Sequence, residues 1–145
     1  MPNLQRFIEA QESDYPIALA EIKAGHKENH WIWYIFPQLD GLGSSFMSKH
    51  YAIKDIEEAK EYLSHPILGT RLKEITSVLL TLPKKNPSVV MGGWPDNKKL
   101  QSCMTLFAAV SEEDSVFHKV LEAYFDGRKC EKTIEMLNIA ENANV

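Results

Sequence analysis

The chain has 145 residues, of which 44% are hydrophobic and 25% charged, and its formal net charge is -4. This length and composition predict one globular domain over residues 1–145, large enough to bury its own core. The basic residues do not form the stripe that is typical of nucleic-acid binders. No apolar run approaches the roughly 20 residues of a membrane-spanning helix. We therefore expect neither nucleic acid nor a membrane as a partner, and nothing in the sequence fixes an oligomeric state.

Cys103 and Cys130 are the only cysteines, and both lie in segments with a helical pattern. A disulfide framework would need more of them, so the sequence predicts two reduced thiols and a cytoplasmic location. The first residues, from Met1 to Arg6, lack the apolar segment of an export signal. No motif indicates a cofactor.

The first quarter of the chain predicts two short helices. Asn3 can cap the first helix, which ends near Gln11. Asp14 can cap the second, which carries Pro16 in its first turn and ends at Gly25.

An aromatic run, Trp31-Ile32-Trp33-Tyr34-Ile35-Phe36, follows. It is compatible with a strand or a buried helical turn, and we favour the turn because no second strand is evident nearby. Trp31, Trp33 and Tyr34 cannot all face one core if the segment is regular, so part of this surface is predicted to line a cleft. Core packing of all three is the alternative interpretation.

The rest of the chain reads as helices separated by short loops. Asp55 and Glu58 form a capping box, and the helix they begin closes before His65. A long amphipathic helix then starts at Pro66, a loop runs through residues 83–95, and Asp96 can cap the next helix. Two further helices, the first ended by Asp126-Gly127, lead into a frayed polar tail at 141–145. The sequence thus predicts a single all-α domain of six or seven helices with little or no β-sheet.

Two histidines four residues apart, His26 and His30, have the spacing of a metal pair on a helix. Gly25 ends the preceding helix, however, and no third ligand is implied. We therefore predict no metal site, and interpret this segment as a polar loop with solvated or capping histidines.

Two segments of the sequence contain residues that could bind an anion. The turn at 41–45 includes Gly43 and Ser44, whose backbone N–H groups and hydroxyl can face an anion, although simple turn formation also explains it. On the helix after Asp96, Lys98, Ser102 and Thr105 fall on one polar stripe that can hold a phosphate or a ribose. A solvated helix face is the alternative for this stripe.

Three strings in the chain together resemble a family of small bacterial proteins of unknown function. They are His30-Trp31-x-Trp33-x-x-Phe36-Pro37-Gln38 with Gly41-Leu42-Gly43, His65-Pro66-x-Leu68-Gly69-x-Arg71-Leu72, and Lys99-Leu100-x-Ser102-x-x-Thr105-Leu106-Phe107. The resemblance covers nearly the whole chain and implies a mainly helical domain. The name calpastatin-like, given to some such proteins, does not fit a chain that has neither the length nor the disordered composition of that inhibitor.

A second resemblance, to the NADAR proteins, is carried by His50-Tyr51, Ser64-His65-Pro66 and Gly93-x-x-Asp96. It implies ADP-ribose chemistry and cleavage of an N-glycosidic bond. That family has a glutamate before the His-Tyr pair, where this chain has Lys49. Because glycosidic cleavage generally needs a carboxylate, Asp96 is the replacement that we nominate.

From these features we predict a domain that binds a nucleotide-like or sugar-phosphate-like molecule where the segment 31–38 meets Lys98, Ser102 and Thr105. In this hypothesis Trp31 or Trp33 stacks on a ring, Gln38 hydrogen-bonds its edge and Lys98 binds an anionic group. Whether a reaction follows binding is left open. The alternative is a module whose exposed aromatic patch docks a protein partner.

Overall fold

The structure, a computed structural model, describes residues 4–143, and the side chains of residues 4–138. Over this range the chain is all-α, as predicted, but it forms nine helices where the sequence predicted six or seven. The helices are α1 (Gln5–Lys23), α2 (Ile32–Ile35), α3 (Phe46–His50), α4 (Ile56–Ser64), α5 (Leu68–Thr81), α6 (Pro87–Met91), α7 (Asp96–Ala109), α8 (Val116–Phe125) and α9 (Glu131–Ala143). None of the helices described here is long and apolar enough to cross a membrane.

The first helix corrects the predicted break near Gln11. The chain continues as one helix to Lys23, with Pro16 inside it. Proline removes one helical hydrogen bond, but Pro16 and Glu12, whose carbonyl loses its donor, are both exposed, so water can take the donor's place. The buried face of α1, with Phe7 among its residues, holds the helix together across this point. Asn3, the predicted cap, lies outside the described residues.

Polar side chains tie α1 to segments far along the chain. Arg6 donates hydrogen bonds to the Glu58 carboxylate at 2.9 Å and to the carbonyl of Ala52 at 2.8 Å. The buried Gln11 donates from Nε2 to the Tyr62 hydroxyl at 3.0 Å. Because these groups are buried or partly buried, the bonds fix α1 against α4 in one orientation.

Helices α5 and α7 organise the core. α5 packs against α1, α4 and α8, while α7 packs against α2, α4, α6, α8 and α9. The faces that make these contacts are almost completely buried, for example at Leu72 and Leu79 of α5 and at Leu100 and Phe107 of α7. Because α7 is central, two of its polar residues, Ser102 and Thr105, are buried as well.

Helices α4 and α5 approach each other very closely where a short connection joins them. Asp55 caps α4 by accepting from the Glu58 N–H at 2.9 Å, as predicted, but the Glu58 carboxylate accepts from the Lys54 N–H at 3.0 Å instead of the Asp55 N–H. His65 Nδ1 accepts from the N–H groups of Ile67 and Leu68, so α5 begins two residues later than predicted from Pro66. Gly69 lies directly against the backbone of Leu63, where a Cβ atom would overlap the carbonyl group.

The aromatic run forms the single turn α2, as favoured from the sequence, and the chain then passes beside Ile53. Leu39 and Ile53 form an isolated β-bridge, in which the Ile53 N–H donates to the carbonyl of Gln38 at 2.8 Å. At the other end of the chain α9 extends to Ala143, so residues 141–143 of the predicted tail are helical. Residues 144–145 of that tail lie outside the described part.

Candidate functional site

Trp31 is a core residue in this structure. It is 1% exposed, and its indole N–H donates to Glu21 Oε1 at 2.9 Å. The ammonium group of Lys27 lies 5.0 Å from the centre of the indole ring. With its edge bonded and its surface covered, Trp31 presents no face on which a ligand could stack, and we leave it out of the candidate site.

Glu21 organises the loop that joins α1 to α2. Its carboxylate accepts the backbone N–H groups of Glu28 at 2.7 Å and Asn29 at 3.0 Å. Burial alone would raise the pKa of Glu21, but these bonds, with those from the Asn29 and Trp31 side chains, lower it to about 2. The carboxylate is therefore ionised at neutral pH and serves as a structural anchor.

The histidine loop after α1 contacts the segment around α6. His26 Nδ1 lies 3.1 Å from the carbonyl oxygen of Val89, and the loop is further fixed by the Lys27 N–H, which donates to Val90 O at 2.7 Å. Within residues 4–138 no three His, Cys, Asp or Glu side chains are grouped closely enough to hold a metal ion.

Trp33 and Gln38, two of the predicted site residues, do come together. They line a small cavity of about 10 Å³, here called the indole hollow, with Ser48, Tyr51 and Lys99. This volume is about that of one water molecule. The Trp33 Nε1 atom is buried and has no hydrogen-bond partner among the residues that the structure describes.

The cation beside Trp33 is Lys99 and not the predicted Lys98. The Lys99 ammonium group lies 5.3 Å from the centre of the indole ring and 3.9 Å from an oxygen of Asp96. Consecutive residues on a helix point about 100° apart, so Lys98 is directed away from the hollow. The predicted meeting of the tryptophans with Lys98 is therefore not found.

Gly43, one of the residues predicted to face an anion, lies beside this hollow. A Cβ atom at Gly43 would collide with the side chain of Ser48, which lines the hollow. Ser44 is exposed. The helix that follows, α3, has five residues, and its Ser48 N–H already donates to Ser45 Oγ at 3.1 Å.

Two of the three residues of the predicted polar stripe of α7, Ser102 and Thr105, face inward. Ser102 and Thr105 are buried against the start of α9, where Thr105 Oγ1 accepts from the backbone N–H of Cys130 at 2.8 Å. Ser102 Oγ lies 3.2 Å from Cys130 Sγ. These two hydroxyls therefore hold the beginning of α9 onto α7, while Lys98 remains exposed.

An open cleft of about 830 Å³, here called the basic cleft, lies between α7 and the start of α9. Lys98 and Gln101 of α7 line one side, and Arg128, Lys129 and Cys130 line the other. In the part of the chain that the structure describes, the three cations form no ion pair. The carboxylates of α9 that also line the cleft do not neutralise them through direct contact.

A sharp turn at the end of α8 brings the chain to the wall of the basic cleft. Asp126 and Gly127 both have positive φ angles, of 55° and 76°, which reverse the chain direction. Gln101 Nε2 then donates to the carbonyl of Arg128 at 2.8 Å. The turn and this bond hold Arg128 and Lys129 beside α7.

The two cysteines have opposite environments, and both are free. Cys103 is completely buried in the core, and this burial raises the pKa of its thiol. Burial would also raise the pKa of Cys130, but hydrogen bonds from Ser102, Thr133 and the Lys132 N–H outweigh it and lower the pKa. Cys130 precedes α9 rather than lying inside a helix, which corrects the sequence prediction for this residue.

Asp96, the nominated glycosidic carboxylate, belongs to an ion pair. Its Oδ2 atom lies 2.7 Å from the ammonium group of Lys27, which also donates to the carbonyl of Asn29 at 2.6 Å. The pair connects the loop after α1 to the start of α7. A carboxylate bound in this way is a structural link between distant segments.

The described residues form a small all-α domain, and the cleft between α7 and the start of α9 brings Lys98, Arg128 and Lys129 together. The chain belongs to the DUF1810 family, described as proteins of unknown function, whose family model matches residues 1–137. The predicted membership of a family of unknown function is thereby confirmed, and the NADAR resemblance stays a prediction.

The crystal structure of the conserved hypothetical protein Rv1873 from Mycobacterium tuberculosis is similar to this chain. The two share 39% sequence identity with a TM-score of 0.90, and the match covers 93% of this chain and 96% of the mycobacterial one. No protein with a curated description matches the chain.

Proposed function

We propose that this protein binds a small anionic molecule of the sugar-phosphate class in the basic cleft. The observation that carries the proposal is the convergence of Lys98, Arg128 and Lys129 on one open cleft without ion-pair partners among the described residues. Lysine and arginine side chains on two walls can bind one phosphate from both sides. The start of α9 adds the partial positive charge of a helix N-terminus.

The remaining lining residues support a sugar rather than a second phosphate. Glu131 and Glu135 of α9 also line the cleft, together with the amide groups of Gln101 and Asn138. Carboxylates and amides accept hydrogen bonds from hydroxyl groups, whereas carboxylates repel further anionic charge. The lining therefore suits a ligand with one anionic end and a body rich in hydroxyls.

Nucleotides are the less favoured ligands because the cleft offers no stacking surface. The described residues that line it include no aromatic ring. Trp31 is buried, and one face of Trp33 is covered by Lys99. Base recognition usually depends on such a ring, so we expect sugar phosphates to bind more tightly than nucleotides.

A thermal-shift titration with ribose 5-phosphate, glucose 6-phosphate, AMP and inorganic phosphate tests the proposal. Saturation at about 100 times the dissociation constant adds about 2.7 kcal/mol, or a shift of about 5–10 °C for a domain of this size. A Lys98→Gln, Arg128→Gln double variant should lose most of the shift. Lys73→Gln, at an exposed position of α5 that does not line the cleft, is the control for loss of a surface lysine and should keep it.

The absence of a shift with every compound, or an equal loss of the shift in the Lys73→Gln control, would contradict the proposal. Salt supplies a second measurement, because partly exposed cations are screened as ionic strength rises. We expect the apparent dissociation constant to increase with sodium chloride in the wild type. It should depend much less on salt in the double variant.

A second candidate function, docking of a protein partner, is favoured by two exposed aromatic side chains. Trp94 is 79% exposed and Phe46 is 75% exposed, which is unusual for residues of this size. A second copy of this chain is the first partner to test. Sedimentation velocity over a range of concentrations should show association that a Trp94→Ala, Phe46→Ala variant loses, and a sedimentation coefficient independent of concentration would count against this candidate.

A further inference from the structure

We propose that the indole hollow binds the carboxylate group of a small organic acid, with one carboxylate oxygen seated beside Trp33 and Lys99. The hollow is separate from the basic cleft, since no described residue lines both. Binding here is therefore independent of the sugar-phosphate binding proposed above. An unsatisfied donor, a cation that shares its carboxylate partner, and the size of the hollow all support this assignment.

The Trp33 indole N–H is a buried donor without an acceptor. Its Nε1 atom is shielded from solvent and has no hydrogen-bond partner among the described residues. The other indole of the aromatic run differs, because the Trp31 N–H donates to Glu21. A buried donor without an acceptor is costly, and in a native structure it often marks the place of a water or an ion. Because Trp33 lines the indole hollow, an occupant of the hollow can supply the missing acceptor.

The other polar side chains around the hollow can also donate. Neither the Gln38 amide nor the Tyr51 hydroxyl has a hydrogen-bond partner in the described part of the chain. Ser48 Oγ accepts from the Ser45 hydroxyl at 2.9 Å, which leaves the Ser48 proton available. The described residues that line the hollow include no carboxylate. Since an indole N–H and an ammonium group can only donate, the lining favours an occupant that accepts from several donors.

The charge beside the hollow is positive. The Lys99 ammonium group lies 5.3 Å from the centre of the Trp33 ring, and the Lys99 side chain is 21% exposed. Asp96, its ion-pair partner among the described residues, is 3.9 Å away and is bound more closely by Lys27 at 2.7 Å. Two cations thus share one negative charge. A water molecule would give the Trp33 N–H an acceptor but leave this excess charge, whereas a carboxylate oxygen satisfies both groups.

The size of the hollow limits what can enter it. Its volume of about 10 Å³ is that of one water-sized group, and a single carboxylate oxygen has this size. The polar residues that line it are all partly exposed, so the hollow opens to solvent and the rest of a ligand can remain outside. A flat carboxylate can bring one oxygen into so narrow a space, whereas a tetrahedral phosphate is broader directly behind its oxygen.

Formate tests this assignment on the full chain because it is the smallest carboxylate. In a proton–nitrogen correlation spectrum the three tryptophans give three indole N–H signals. We expect formate to move the Trp33 signal until it saturates. The signals of Trp31, which is already bonded, and Trp94, which is exposed, report general salt effects. A ligand of three non-hydrogen atoms binds no more tightly than about 1 mM, so the titration covers millimolar concentrations, and Trp33→Phe assigns the signal by removing it.

A neutral analogue and two variants isolate the role of charge. Formamide resembles formate in shape but is uncharged, and we expect it to bind about tenfold more weakly or not at all. Lys99→Gln should weaken formate binding about tenfold, and unmoved Trp31 and Trp94 signals would show that the variant is folded. Lys98→Gln removes the neighbouring cation, which lines the basic cleft, and should leave the formate titration unchanged. If Lys99→Gln does not fold, the comparison of formate with formamide in the wild type decides.

A Trp33 signal that stays in place throughout the formate titration would overturn the proposal and assign the hollow to water. Equal responses to formate and formamide, or an unchanged response in Lys99→Gln, would exclude the carboxylate as the ligand class. Loss of the response in Lys98→Gln would place the anion in the basic cleft and refute binding in the hollow. Sugar phosphates that fail to bind, while formate still moves the Trp33 signal, would contradict the proposed function alone.

Discussion

The indole N–H of Trp31 donates to Glu21 Oε1 across 2.9 Å, and the same carboxylate oxygen accepts the backbone N–H groups of Glu28 and Asn29. One carboxylate thus fixes the loop after α1 and the first residue of the aromatic run. The bonds explain why Trp31 packs into the core even though its ring carries a polar atom.

Acid should weaken the protein through Glu21. The hydrogen bonds that it accepts lower its pKa from 4.5 to about 2, against the opposing effect of burial. A carboxyl group with a depressed pKa stabilises the fold while ionised, so its contribution is complete above about pH 4.5 and is lost as the pH falls toward about 2. Urea unfolding at neutral and acidic pH should show this loss, and Glu21→Gln should show a smaller one. Equal acid sensitivity in the two proteins would exclude Glu21 as a cause.

The two tryptophans of the aromatic run should respond differently to replacement by phenylalanine. Trp31→Phe removes a hydrogen bond to a buried carboxylate, whereas Trp33→Phe removes a buried N–H without a partner in the described chain. We expect Trp31→Phe to lower the free energy of unfolding by about 1–3 kcal/mol more than Trp33→Phe. Chemical denaturation measures both, and a larger loss for Trp33→Phe would contradict this interpretation.

The ion pair between Lys27 and Asp96 should show an asymmetric response. The side chain of Lys27 is 5% exposed and that of Asp96 is 20% exposed. Asp96→Ala leaves an enclosed cation and should cost about 3–5 kcal/mol, while Lys27→Met leaves a carboxylate that water can reach and should cost less. The double variant should be about as stable as Lys27→Met alone. Additive losses in this cycle would show that the two groups do not interact.

Gly69 should tolerate no side chain. Alanine normally strengthens a helix relative to glycine by about 1 kcal/mol, but here its Cβ atom would overlap the Leu63 carbonyl, which is backbone and cannot move independently. We expect Gly69→Ala to lower the free energy of unfolding by roughly 2–4 kcal/mol. Thr70→Ala, at an exposed position one residue along α5, should change it by less than about 0.5 kcal/mol. A stabilised Gly69→Ala variant would refute the close approach of α4 and α5.

Local signals predicted much of the fold because they act over a few residues. Asp55 was predicted to cap α4 from a signal only four residues long, and the structure confirms the bond from the Glu58 N–H to Asp55. Pro16 misled the prediction because its effect depends on what surrounds it, and here solvent on one side and a buried face on the other allow α1 to continue. The short helices α3 and α6 have too few residues for a periodic pattern.

The site was harder to predict because it depends on the direction in which each side chain of α7 points around the helix axis. Lys98 and Lys99 are neighbours in sequence, yet one lines the basic cleft and the other the indole hollow. Part of the cleft could have been predicted from the sequence around Gly127. This turn residue is followed by Arg128, Lys129 and Cys130, and a helix begins directly after them. Which side of α7 that cluster would meet could not be read from spacing alone.

The hydrogen bonds of α1 also bear on how the protein acquires its structure during synthesis. Arg6 bonds with a residue 52 positions later and Gln11 with one 51 positions later. Translation adds those partners only after all of α1 has been made, so Arg6 and Gln11 remain hydrated until then. Contacts of this span slow the search for the native topology, and assembly is expected to begin among the later helices, with α1 docking onto them afterwards.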